Sequence, residues 1–182
     1  MHLKIKSASA YIHNFELLDR QKEVVLFIPG AGMDHRVADL IEIDPSNFNN
    51  IICIDLPGHG SSTPTDAKTI EDYADYIFNC LLKVDLTNIH LCGHSMGGLV
   101  AMQLLSLNKM MFKSVTLFNC QYPLFVGSAL LEGSSRNLDG ASDFLTKYGI
   151  HKLPEKEKPK KVFGVKGSSF YKKNKGKVIS PY

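Results

Sequence analysis

Continuous apolar runs recur along the first 120 residues, each closed by turn-forming residues. They are Val24-Val25-Leu26-Phe27-Ile28, Ile51-Ile52-Cys53-Ile54-Asp55, Asn88-Ile89-His90-Leu91-Cys92 and Ser114-Val115-Thr116-Leu117-Phe118. Such runs predict short strands of a parallel sheet buried on both faces. Helical spacing intervenes twice. Thr69-Ile70-Glu71-Asp72 opens one helix with a threonine cap and early acids, and Ile70, Tyr73, Ala74, Ile77, Phe78, Leu81 and Leu82 form its core-facing stripe. Tyr73 and Tyr76 read as packing and surface residues rather than substrate contacts. Leu99-Val100-Ala101-Met102 with Leu104-Leu105 predicts the second helix. Nearer the start, Leu3 and Ile5, then Tyr11, Ile12, Phe15 and Leu17, alternate in places as two opening strands of an antiparallel edge would. The alternation of strand and helix predicts an α/β domain with a mostly parallel sheet of about six strands.

The chemistry lies where these strands end. Gly93-His94-Ser95-Met96-Gly97 stands between a predicted strand and a predicted helix. A serine on that turn takes a strained backbone conformation that projects its hydroxyl clear of the sheet, as a nucleophile requires. Gly93 and Gly97 remove side chains that would strike the neighbouring strand and helix, and Gly98 adds room for close packing. Pro29-Gly30-Ala31-Gly32-Met33-Asp34-His35 follows the first apolar run and leaves backbone amides unobstructed. The amides of Ala31 and Met96 are the candidate pair of oxyanion donors for acyl transfer. In the third segment, Leu56-Pro57-Gly58-His59-Gly60-Ser61-Ser62, His59 precedes the nucleophile and lies between glycines, which suits a structural role.

These three segments, in this order, resemble the α/β-hydrolase superfamily over roughly residues 20–125. Pro29-Gly30-Ala31-Gly32 takes the place of the family's His-Gly-x-Gly oxyanion loop, Asp55 through Ser62 looks like its D-x-x-G-x-G-x-S turn, and Gly93 through Gly98 is similar to the elbow of its lipases, esterases and C–C bond hydrolases. The resemblance implies hydrolysis of a carboxylic ester or related acyl bond of a small apolar substrate by Ser95, with no metal or organic cofactor. It also implies a histidine and an acid downstream, after a seventh and an eighth strand. Pro29 departs from the family's histidine and predicts altered support for the loop. The larger departure comes later: after Ser95 the only histidine is His151, in a turn-like setting, and the carboxylates are Glu132, Asp139, Asp143, Glu155 and Glu157. None follows a recognisable buried strand. The expectation is therefore the N-terminal part of a serine hydrolase, inactive by itself. The alternatives are a non-catalytic module that binds a small ligand or a protein, and a hydrolase completed by another chain.

Composition refines this picture. A chain of 182 residues with 44% hydrophobic content supports one substantial core. Residues 1–120 are expected to be the hydrolase core and 121–182 part of a helical cap with a lysine-rich end. Residues 152–182 carry ten lysines against two acids, whereas residues 1–151 carry 11 basic and 16 acidic residues. The lysines are interleaved with proline and glycine and joined by no arginine, the pattern of a solvated segment rather than a nucleic-acid site. Cys53, Cys80, Cys92 and Cys120 share no metal or redox spacing and sit in apolar contexts, so a cytoplasmic protein with reduced core thiols is expected. No apolar run reaches the length of a membrane span.

Overall fold

The computed structural model describes residues 1–40, 50–128, 131 and 132. The chain divides into two compact units, and the sheet with its helices belongs to the first, which runs through Leu124. Its elements are β1 (His2–Ile5), β2 (Ala8–His13), β3 (Val24–Ile28), β4 (Ile51–Ile54), α1 (Ile70–Val84), β5 (Ile89–His94), α2 (Met96–Leu107) and β6 (Phe112–Phe118), with short 3-10 turns at Phe15–Leu17, His35–Leu40 and Lys109–Met111.

The six strands form one sheet in the order β1-β2-β4-β3-β5-β6. β1 and β2 pair antiparallel, as do β2 and β4, and the remaining pairs are parallel. The opening alternation thus makes an antiparallel edge, but the second strand stops at His13. Asn14 turns left-handed (φ 57°) into a 3-10 turn, which leaves Leu17 exposed rather than in a strand.

The apolar runs are apolar because the central strands are covered. Leu26, Ile28, Ile52, Ile54, Ile89 and Leu91 belong to the larger core with Tyr73, Ile77 and Leu81 of α1 and Val100, Ala101 and Leu104 of α2. Phe27, Ala38, Cys53 and Cys92 form a second, smaller cluster. Thr69 caps α1 in a reciprocal box with Asp72. The buried stripe of α1 is rotated from the predicted one: Leu82 is 53% exposed, while Tyr76 is buried. The Tyr76 hydroxyl reaches Ser62 Oγ at 3.3 Å, so its ring is buried without stranding a polar group.

The predicted sixth strand forms and pairs parallel with β5 from Ile89–Phe112 to His94–Phe118. It is not buried on both faces. Its residues from Lys113 onward are exposed apart from the partly buried Val115, and no described residue pairs with its outer edge. The cap expected from residue 121 and the lysine-rich end lie almost entirely outside the described residues.

Candidate active site

Parallel strands β3, β4 and β5 all end at the same side of the sheet, so the turns that follow them gather there. Ser95 is the turn between β5 and α2. Its backbone sits at φ 52°, ψ −121°, a conformation that side-chain-bearing residues seldom adopt. The sheet fixes it there, because Ser95 N–H donates to the Phe118 carbonyl at 2.9 Å and Ser95 C=O accepts from Gly98 N–H at 2.9 Å. A serine at a helix start ordinarily turns its hydroxyl onto the helix amides. Here Ser95 makes no such side-chain cap, so its hydroxyl is not spent on α2.

The glycines show what the motif spacing is for. A Cβ on Gly97 would stand 2.2 Å from the Ile28 carbonyl oxygen and 2.5 Å from that of Pro29, so the first turn of α2 rests directly on the end of β3. A Cβ on Gly93 would stand 2.6 Å from both Gly97 O and Gly98 Cα. One on Gly98 would stand 2.6 Å from Cys120 Sγ, which places the end of β6 against the same helix start. The loop after β3 closes on the serine from the other side. A Cβ on Gly30 would stand 3.2 Å from Ser95 Cβ and 3.0 Å from His94 Nδ1.

The chain thus brings the segments of Ala31 and Met96 to either side of Ser95. Among the described residues, neither of these two amides donates a hydrogen bond to another group. The start of α2 adds the partial positive charge of a helix N-terminus.

The loop after β3 is tied to the turn after β4 by a knot that the residue pattern did not reveal. Asp55 is fully buried. Its Oδ1 accepts His35 N–H at 2.8 Å; its Oδ2 accepts from His35 Nδ1 at 2.8 Å and from Ser61 N–H at 2.8 Å. Burial opposes charge on His35, but the Asp55 carboxylate outweighs it and raises the imidazole above its ordinary pKa. Asp34, buried beside it, is gripped by Arg36 through Nε at 2.8 Å and Nη2 at 2.6 Å. Burial penalises the Asp34 carboxylate, and the guanidinium more than offsets this and lowers its pKa. A Cβ on Gly60 (φ 52°) would fall 2.0 Å from Asp55 Oδ2 and 2.8 Å from Asp34 Cβ, so this position has room only for glycine.

Histidine chemistry is sparse around the serine. His59 is buried; its Nδ1–H donates to the Pro57 carbonyl at 3.0 Å, its ring meets Tyr73 edge-on, and burial lowers its pKa. That is a packing residue of its own turn. Burial also holds His94 below its ordinary value. Among the described residues no histidine is hydrogen-bonded to Ser95. His151 and the carboxylates Asp139, Asp143, Glu155 and Glu157 lie outside the described residues.

A family model described as the alpha/beta hydrolase family matches residues 25–164. The chain belongs to the alpha/beta hydrolase family. Within that family it is 33% identical over 90 residues to an (E)-2-((N-methylformamido)methylene)succinate hydrolase of Acinetobacter baylyi, covering 48% of this chain and 33% of that one. It is 36% identical over 91 residues to the phospholipase YtpA of Bacillus subtilis, covering 47% and 35%. Among solved structures it is similar to an N-acyl homoserine lactone degrading enzyme, with TM-score 0.74, 17% identity and coverage of 94% of this chain and 65% of that one. A thermophilic esterase gives 0.72, 21%, 96% and 62%. These two structures show the alpha/beta hydrolase fold alone. The chain spans about a third of the length of the curated relatives it matches.

Proposed function

We propose that this chain carries the nucleophile half of a serine hydrolase that cleaves carboxylic esters or related acyl bonds. Ser95 attacks the carbonyl carbon, and the amides of Ala31 and Met96 receive the charge that develops on its oxygen. The observation that supports this most is the backbone of Ser95: φ 52°, ψ −121°, at a strand–helix turn whose hydroxyl caps nothing. A packing residue gains nothing from that strain, whereas a hydroxyl held out over a helix start does. One oxyanion donor contributes about 3 kcal/mol to transition-state stabilisation. In this reading the base and acid that activate Ser95 come from outside the described residues.

The test is covalent labelling of the full chain with a fluorophosphonate probe. Labelling that disappears in Ser95→Ala supports the hydrolase reading, and its dependence on His151→Ala would assign the base. A folded protein whose serine resists the probe overturns catalysis for this chain and favours a ligand- or partner-binding module, the reading to which the absence of a histidine at Ser95 among the described residues points.

A further inference from the structure

Asp55 and His35 are separated by twenty residues of sequence yet share two hydrogen bonds of 2.8 Å. Both carboxylate oxygens are used, and both accept from His35: one takes its backbone amide, the other its ring. Such a two-point grip fixes the direction of the chain at His35 as well as its position. His35 is also the residue at which the Pro29–Asp34 loop re-enters regular structure, the 3-10 turn His35–Leu40. At its other end the loop is anchored by β3. Within it, Met33 N–H donates to Gly30 C=O at 3.1 Å, which makes Gly30 through Met33 one tight turn. The turn touches Ser95 at Gly30. Whatever fixes His35 therefore bears on where the Gly30–Met33 turn stands against the serine. Pro29 occupies the position from which a side chain could have braced the loop, and its ring offers no donor.

We propose that His35 is a positioning residue: clamped to Asp55, it holds the Gly30–Met33 turn in register with Ser95. The assignment rests on the hydrolase reading for its catalytic meaning, since only that reading gives the Ala31 amide a task. Asp55 is itself held on the far side by Ser61 N–H and hemmed in by Gly60, so the clamp runs from the turn after β4, through Asp55, into the loop after β3. Gly60 is part of the same device, because any side chain there would push the carboxylate off His35.

The experiment compares amide hydrogen exchange in the full-length protein and in His35→Ala, His35→Asn and Gly60→Ala. Asparagine places an N–H donor on Cγ, where the histidine carries Nδ1, and so keeps the ring bond without the ring. Expected are about tenfold faster exchange at Met33, whose amide closes the turn onto Gly30, in His35→Ala and Gly60→Ala, with α1 unchanged, and recovery to near the parent rate in His35→Asn. Unchanged exchange in the loop for His35→Ala overturns the clamp. So does a loss of protection spread evenly over the sheet that asparagine fails to rescue, because it marks a merely structural residue. Fluorophosphonate labelling is followed in parallel. If Ser95 labels, its rate should fall in His35→Ala and return in His35→Asn. If Ser95 labels in no variant, the hydrolase reading fails, and the exchange data still decide the clamp.

Discussion

Ser95 holds a left-handed backbone (φ 52°) that costs a side-chain-bearing residue about 1–3 kcal/mol. Glycine tolerates that region, so Ser95→Gly is expected to raise stability to chemical denaturation by about 1 kcal/mol while abolishing probe labelling. Unchanged or lower stability would mean that no strain is stored there. The knot around Asp55 gives a pH dependence whose sign follows from its partners. His35 faces Asp55, Asp34, Arg36, Tyr11 and His13, and its pKa is raised in the folded state. Its contribution to stability is complete below the unfolded value of about 6.5 and is lost as pH rises through the folded value. Asp34 runs the other way: its lowered pKa adds stability above the unfolded value of about 3.9, lost as pH falls through the folded one. Denaturation midpoints between pH 5 and 9 should therefore decline on the alkaline side in the parent, and less so in His35→Asn. Of these residues, Ser95 and its glycines were legible in the sequence because their constraint is local, a strand turning into a helix within five residues. The His35–Asp55 bond was not. It depends on β3 and β4 lying side by side in parallel register, and nothing near either residue announces the other.

At the level of elements, the contact that assembles the site is the start of α2 against the end of β3. Gly97 makes it possible, since any side chain there meets two backbone carbonyls that cannot yield. Gly97→Ala should cost about 3 kcal/mol or more, at the upper end of overpacking, by thermal or urea unfolding, and should separate the Gly30 turn from Ser95. A cost below about 1 kcal/mol would show that α2 can pivot freely. The strands themselves were easy to foresee: β3 runs from Val24 to Ile28 as its hydrophobic run predicts. The face of α1 was harder. Periodicity ranks Leu82 above Tyr76, but the tertiary partner Ser62, remote in sequence, makes the tyrosine the better core residue.

Among the described residues the sheet has two unlike edges. β1 is four residues long, carries exposed Lys4 and is followed by exposed Lys6, and Lys83 Nζ donates to the Lys4 carbonyl at 2.7 Å. These are the devices by which natural edges discourage further pairing. β6 is seven residues long, and its one charge, Lys113, is paired with Glu23 at 2.8 Å. Leu117 and Phe118 beyond it are 41% and 50% exposed. An apolar edge of this kind associates as concentration rises, so light scattering should show Leu117→Lys remaining dispersed at concentrations where the parent chain aggregates. Equal scattering from both would mean that the edge is already covered.

The distribution of thiols turns this architecture into a way of watching the molecule fold. Cys53, Cys80 and Cys92 are buried, and burial pushes these thiols up, Cys80 to about 12, as it does that of Cys120. Cys120 alone lies partly open, its sulfur against Gly98 at the elbow. A maleimide reagent should therefore count one fast thiol per native chain and four in denaturant, with the difference reporting core opening. The same chemistry sets a single fluorophore at Cys120, against the first turn of α2, without any substitution, so a ligand that binds over that helix start should register as a change of colour or intensity in the unaltered protein.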